Sequence, residues 1–186
     1  MSKIGVGVIT CDRMDMYHVC IESIKEAWCD ELVTVDDGKN EHVLAPKGEY
    51  IKTEGGTGVG KAKNVALKHL MDKGCDYIIL VEDDMKFSGN LFAEYVRAYK
   101  TTGIQHFMFA YHGPANKAGI SYGKPVPRLV FDYGPFDECR IALNQHCVGA
   151  VTFYTRESLE KVGLYDENFT NAFEHVDKRS KNNPLI

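Results

Sequence analysis

The sequence has no Cys-x-x-Cys pair, no long apolar run and no basic excess, and each absence removes a class of protein. Its six cysteines (Cys11, Cys20, Cys29, Cys75, Cys139, Cys147) lack the paired spacing of a zinc site. They read as free, often buried thiols rather than a disulfide frame. The apolar stretch at the start, Ile4 to Ile9, is too short for a signal-peptide core or a membrane span, and nothing later exceeds it by enough to serve. A soluble, cytoplasmic chain is therefore expected. Charge is nearly balanced, with 22 Lys and Arg against 26 Asp and Glu and a formal net charge of −4. That argues against a duplex nucleic-acid binder working by bulk electrostatics. There is no internal repeat and no linker, so residues 1–186 are expected to form one domain.

What is present is the material of a core. Apolar residues make up 44% of the 186 positions, enough for one well-packed domain. Ile4–Thr10 reads as a buried strand and Met16–Trp28 as an amphipathic helix. Glu31–Val35 reads as a second strand ending at the turn Asp36-Asp37-Gly38, and Tyr50–Lys52 as a short third. The Gly-rich run Gly55–Gly60 opens a helix over Lys61–Lys73, with Gly74 as its stop. Tyr77–Val81 is a continuous apolar run that suits a central parallel strand. Leu91–Thr102 reads as a helix, His106–Tyr111 as a strand, and His112–Pro135 as a long functional loop with a short strand near Arg128–Phe131. Val148–Tyr154 is the last strand, followed by a helix over Arg156–Val162 that Thr155 caps. Strands alternating with helices imply an α/β fold of Rossmann-like kind, with a mainly parallel sheet flanked by helices.

In such sheets ligands bind beyond the carboxyl ends of the strands. Three polar clusters fall there: Cys11-Asp12-Arg13, Asp36-Asp37 and Glu82-Asp83-Asp84. Adjacent carboxylates repel one another unless a cation relieves them, and hard oxygen ligands suit Mg²⁺ or Mn²⁺, which in turn bridge phosphates. Gly55–Lys61 also fits the phosphate-binding pattern G-x-x-x-x-G-K, which offers a P-loop nucleoside triphosphatase as a second reading. Against it, Ala62 stands where that loop needs a Ser or Thr hydroxyl for Mg²⁺, and the preceding Glu49–Glu54 is polar for a buried strand. Near the C-terminus, Glu174-His175-Val176-Asp177 offers side chains for general-base work.

Taken in order, these segments resemble the GT-A group of inverting, family 2-like glycosyltransferases. Val8–Arg13 resembles the family's opening strand and loop, and Val33–Gly38 its strand and acidic turn. Gly60–Leu67 is similar to its Gly-x-x-x-Ala-Arg-Asn stretch, and Tyr77–Asp84 to the strand leading into the Asp-x-Asp-type metal motif. Gly149–Phe169 resembles its acceptor-side strand and helix, and Phe173–Asp177 occupies the place of Glu-Asp-x-Asp. The resemblance implies transfer of a sugar from a nucleoside diphosphate-sugar, with UDP or GDP as carrier, to an acceptor hydroxyl, assisted by Mn²⁺ or Mg²⁺. It implies that Thr10, Asp12, Arg13, Asp36, Asp37, Lys61, Asn64 and Asp83 line the nucleotide-sugar site, with Asp84 and Glu82 at the metal. Glu174, His175 and Asp177 would form the catalytic group, with Glu174 and His175 both open as the base. Three positions depart from the family: Asp12 replaces Asn, Lys63 replaces Arg, and His175 stands at the usual base carboxylate. A non-catalytic sugar-nucleotide-binding domain of the same fold is a third reading.

Overall fold

The computed structural model describes residues 2–41, 47–109, 129–132, 134, 140–143 and 149–170. Among them a six-stranded sheet has the order β3-β2-β1-β4-β8-β5. Its strands are β1 (Ile4–Thr10), β2 (Glu31–Asp36), β3 (Glu49–Lys52), β4 (Tyr77–Glu82), β5 (His106–Met108) and β8 (Val151–Thr155). A separate antiparallel pair is formed by β6 (Leu129–Asp132) and β7 (Arg140–Leu143). The helices are α1 (Met14–Ser23), α2 (Val59–Asp72), α3 (Leu91–Thr102) and α4 (Arg156–Val162).

β1, β2, β3 and β4 are parallel, as the βαβ alternation predicts. The other edge is antiparallel: β8 returns alongside β4, and β5 pairs with β8. Alternating side chains divide the core between the two faces of the sheet. Val6, Val8, Ile79, Val81 and Phe153 pack with Tyr17 and Ile21 of α1 and with Phe92 and Tyr95 of α3. Ile9, Val33, Val35, Ile78 and Leu80 pack with Ala62, Ala66, Leu67 and Leu70 of α2 and with Leu159 of α4. Gly7 lets α2 lie close to β1, since a Cβ there would meet Ala66 Cβ at 2.9 Å.

The first helix is shorter than its periodicity suggests. It stops at Ser23, whose hydroxyl donates back to the Cys20 carbonyl at 2.7 Å and accepts the Phe87 N–H at 3.0 Å. The chain then extends so that Ile24, fully buried, enters the core, and a single 3₁₀ turn follows at Glu26–Trp28. Most of the expected loop His112–Pro135 lies outside the described residues, as do Ala110, Tyr111 and Val148, which the sequence placed in strands.

Candidate functional site

Strand register sets the geometry of the site. Thr10 is level with Asp36 across β1 and β2, and Ile9 with Glu82 across β1 and β4. The three polar clusters therefore end on the same edge, the outer two separated by two strand spacings, about 10 Å.

Asp83 lies at the base of the edge and has no exposed surface. Its Oδ2 accepts the Thr10 hydroxyl at 2.7 Å and the Arg13 Nε–H at 3.3 Å. Its Oδ1 meets the Arg13 guanidinium as an ion pair without the alignment of a hydrogen bond. Burial pushes the Asp83 carboxyl above the usual carboxylate range, the Thr10 bond and Arg13 oppose this, and the Asp84 charge adds to it. Arg13 bridges outward to Asp84, with Nη1 3.6 Å from Oδ2. Both side chains reach solvent, at 46% and 43% exposure, so the acidic edge is open at Arg13 and Asp84.

Glu82 and Asp84 do not converge as a shared metal pair. Glu82 turns toward α2, where its Oε1 accepts from the Nζ of Lys63 at 2.8 Å, while Asp84 turns toward Arg13. Lys63 has no exposed surface and also reaches the Gly149 carbonyl at 3.4 Å. A buried ammonium needs such a partner, which accounts for the orientation of Glu82. Among the described residues no group of three or more His, Cys, Asp or Glu side chains is placed to hold a metal.

The turn after β2 is built on two other carboxylates. Asp36 is fully buried; it accepts Gly38 N–H at 2.8 Å on one oxygen, and Tyr50 Oη and Lys52 Nζ at 2.9 Å each on the other. Asp37 accepts the Thr57 N–H at 3.0 Å, the Thr57 hydroxyl at 2.6 Å, the Gly58 N–H at 2.8 Å and the Thr53 hydroxyl. Burial alone would raise the Asp37 carboxyl, but these donors outweigh it and hold its pKa below the ordinary aspartate value. Asp12, with φ of 55°, ties the first loop to the second by accepting Lys39 N–H at 3.0 Å and Asn40 N–H at 3.1 Å.

This corrects the P-loop reading of Gly55–Lys61. The N–H groups of Thr57 and Gly58, which a phosphate would need, point at Asp37. The strand before them, β3, is a mostly exposed edge strand rather than a buried central one.

Of the expected nucleotide-sugar residues, Thr10, Asp36, Asp37, Asn64 and Asp83 are all 4% exposed or less and lie beneath the surface. Asn64 is committed to Tyr165 and Glu167. Lys61 lines an open cavity of ≈ 350 Å³ with Lys52, Thr53 and Thr57, whereas Asp84 lines a separate one of ≈ 280 Å³ with Asp15, Met16, Val19, Met85 and Lys86. Glu174, His175 and Asp177 lie outside the described residues. Sequence reasoning missed the structural work of Lys63, Thr53 and Thr57. The one available signal was Lys63 itself, a charged residue on the apolar side of α2.

No protein-family model and no curated protein matches the sequence. Solved structures do. TarS of S. aureus in complex with UDP superposes with a TM-score of 0.66 at 14% identity, over 95% of this chain and 54% of that one. TarS in complex with UDP-GlcNAc gives 0.57 at 15% identity, over 88% and 48%. The mannosyltransferase PcManGT of Pyrobaculum calidifontis, in complex with GDP-Man and Mn²⁺, gives 0.56 at 13% identity, over 89% and 48%. The chain thus spans about half the length of these three solved chains, two of which are TarS residues 1–349, and 32% of a longer TarS chain. Among the described residues no helix is long and apolar enough to cross a membrane. The six-stranded, mostly parallel sheet with its antiparallel edge and flanking helices is that of the GT-A glycosyltransferase fold.

Proposed function

We propose that this chain carries the donor site of a glycosyltransferase that moves a sugar from a UDP- or GDP-sugar to an acceptor hydroxyl with inversion, assisted by Mn²⁺ or Mg²⁺. The observation that carries the reading is the exposed Arg13–Asp84 pair over a buried Asp83, at the carboxyl edge of a fold whose solved examples hold UDP, UDP-GlcNAc or GDP-Man.

The electrostatics favour a bridging cation. One guanidinium faces two carboxylates, so the edge keeps an excess of negative charge and would repel a bare diphosphate. Asp84 is an exposed hard-oxygen donor, and Mg²⁺ or Mn²⁺ commonly takes one or two carboxylates and fills its remaining positions with phosphate oxygens and water. A bound cation of this kind supplies neutralisation of the departing diphosphate. Asp84 would hold it, and Asp83 would keep Arg13 aimed across the edge. Thr10, hydrogen-bonded to Asp83, fixes that carboxylate in turn. The acceptor proton would go to Glu174 or His175, an assignment resting on the family resemblance.

Incubation with UDP- and GDP-sugars, with and without Mn²⁺, tests the reading through nucleoside diphosphate release, since donor hydrolysis needs no acceptor. Metal-dependent release that disappears in Asp84→Ala supports it. Absence of release together with absence of binding of either nucleotide overturns it.

A further inference from the structure

Asp36 ends β2 at the carboxyl edge of the sheet, yet its side chain has no exposed surface. One of its oxygens accepts the Gly38 N–H at 2.8 Å; the other accepts from Tyr50 Oη and Lys52 Nζ, each at 2.9 Å. A ligand lying on this edge therefore meets what covers Asp36 and not the carboxylate itself. Lys52 is part of that cover. It is level with Asp36 in the strand register, and its side chain is 32% exposed. Its Nζ also donates to the Asn40 carbonyl at 3.0 Å. An ammonium carries three N–H donors, so one of them has no partner among the described residues. The two bonds already made hold the head in place, and the free donor is thereby pre-organised instead of being swept about by a loose side chain.

We infer that Lys52 selects the base of the donor nucleotide by offering this N–H to a ring carbonyl, so that the site takes a keto base, uracil or guanine, over an amino base, cytosine or adenine. The inference rests on the proposed glycosyltransferase reading and narrows its substrate. Spacing supports it. The ammonium sits on Asp36 at the end of β2, two strand spacings, about 10 Å, from the strand that leads to Asp84. A nucleotide whose diphosphate lies at Arg13 and Asp84 can span β1 with its ribose and bring its base over β2. The chemistry then discriminates. Uracil, like thymine, presents the O4 acceptor and guanine presents O6, whereas cytosine and adenine present amino donors at those positions. An amino group against the ammonium sets donor against donor and leaves the Lys52 N–H unmet, a mismatch that a polar site rejects strongly. Asp36 is a positioning residue in this arrangement: buried beneath the ammonium, it neutralises and aims it.

Calorimetric titration with UDP, GDP, CDP and ADP in Mn²⁺ tests the selection. The wild type should bind the better of UDP and GDP at least about tenfold more tightly than CDP or ADP, the factor expected from one hydrogen bond to a charged group. Lys52→Met should weaken UDP and GDP by about tenfold while leaving CDP and ADP within about twofold, which makes the amino bases an internal control for the fold. Methionine leaves the buried Asp36 with Gly38 and Tyr50 alone. Should that variant fail to fold, Lys52→Gln, which keeps an N–H for Asp36 but not the charge, should lose at least about threefold of the preference. The wild-type ranking is decisive without any variant: CDP or ADP binding within about threefold of UDP and GDP overturns the inference. So does a folded Lys52 variant with the full wild-type preference, which would return the reading of the base to Asp36. A wild type that binds none of the four nucleotides instead defeats the glycosyltransferase reading, and the inference falls with it.

Discussion

Replacing Asp37 with alanine removes the carboxylate around which the Gly-rich turn is wound. Four hydrogen bonds end on it, from Thr53, Thr57 (twice) and Gly58, two of them from backbone N–H groups at the start of α2. Bonds to a charged acceptor are worth about 1.5–3 kcal/mol each, but their sum is a ceiling, because water can reach the partly exposed donors once the carboxylate is gone. Loss of a helix-start acceptor by itself costs about 1 kcal/mol, and the helix dipole adds about 0.3–1 kcal/mol. We expect about 3 kcal/mol for Asp37→Ala and about 1–2 kcal/mol for Asp37→Asn, which keeps the shape and one acceptor oxygen. In urea unfolding with a slope near 2 kcal/mol/M, the alanine variant should lose about 1.5 M in midpoint.

The same carboxylate gives a pH test. Its pKa is held below the ordinary aspartate value in the folded chain, burial being outweighed by the Thr53, Thr57 and Gly58 donors. A group whose pKa falls on folding contributes stability that is complete above the unfolded value and is lost as pH drops through the folded one. Wild-type stability should therefore decline on going below about pH 4, and Asp37→Asn should lack that part of the decline. An alanine variant within about 0.5 kcal/mol of the wild type, with an unaltered acid limb, would refute the reasoning.

Other outcomes follow from the same geometry. Asp84→Ala should leave the urea midpoint within error, because the side chain is exposed, yet reduce metal-dependent donor turnover at least about 10²-fold. Arg13→Ala should destabilise the fold by about 2 kcal/mol at pH 7, since Asp83 would stay buried with Thr10 alone. That penalty should shrink as pH falls, because burial already raises the Asp83 pKa and a protonated carboxyl needs no counter-charge; thermal melts between pH 4 and 8 would show it. Gly7→Ala should cost about 1–3 kcal/mol by forcing α2 away from β1, measured by the same urea titration.

Local pattern made much of this fold legible. The apolar run of β4, the Gly-bounded α2 and the Thr155-capped α4 all lie where periodicity and capping put them, because short-range signals determine them. The end of α1 at Ser23 was not legible, because it depends on where Ile24 meets the sheet. Nor was the antiparallel placement of β8 and β5, which local sequence does not encode, or the strand β7. At the site, the sequence placed Arg13, Asp83 and Asp84 on one edge, and they meet there. It did not show that Lys63 draws Glu82 away from Asp84, that Asp37 fills the Gly-rich turn, or that Asn64 faces Tyr165, since each partner comes from a distant part of the chain.

Paramagnetic broadening in amide NMR spectra, with Mn²⁺ added in the presence of UDP or GDP, locates the bound cation directly. The account predicts selective loss of the amide signals of Cys11, Asp12 and Arg13 and of Asp83, Asp84 and Met85, at the open end of the acidic edge. Broadening centred instead on Thr53–Lys61, or none at all with saturating nucleotide, would contradict it.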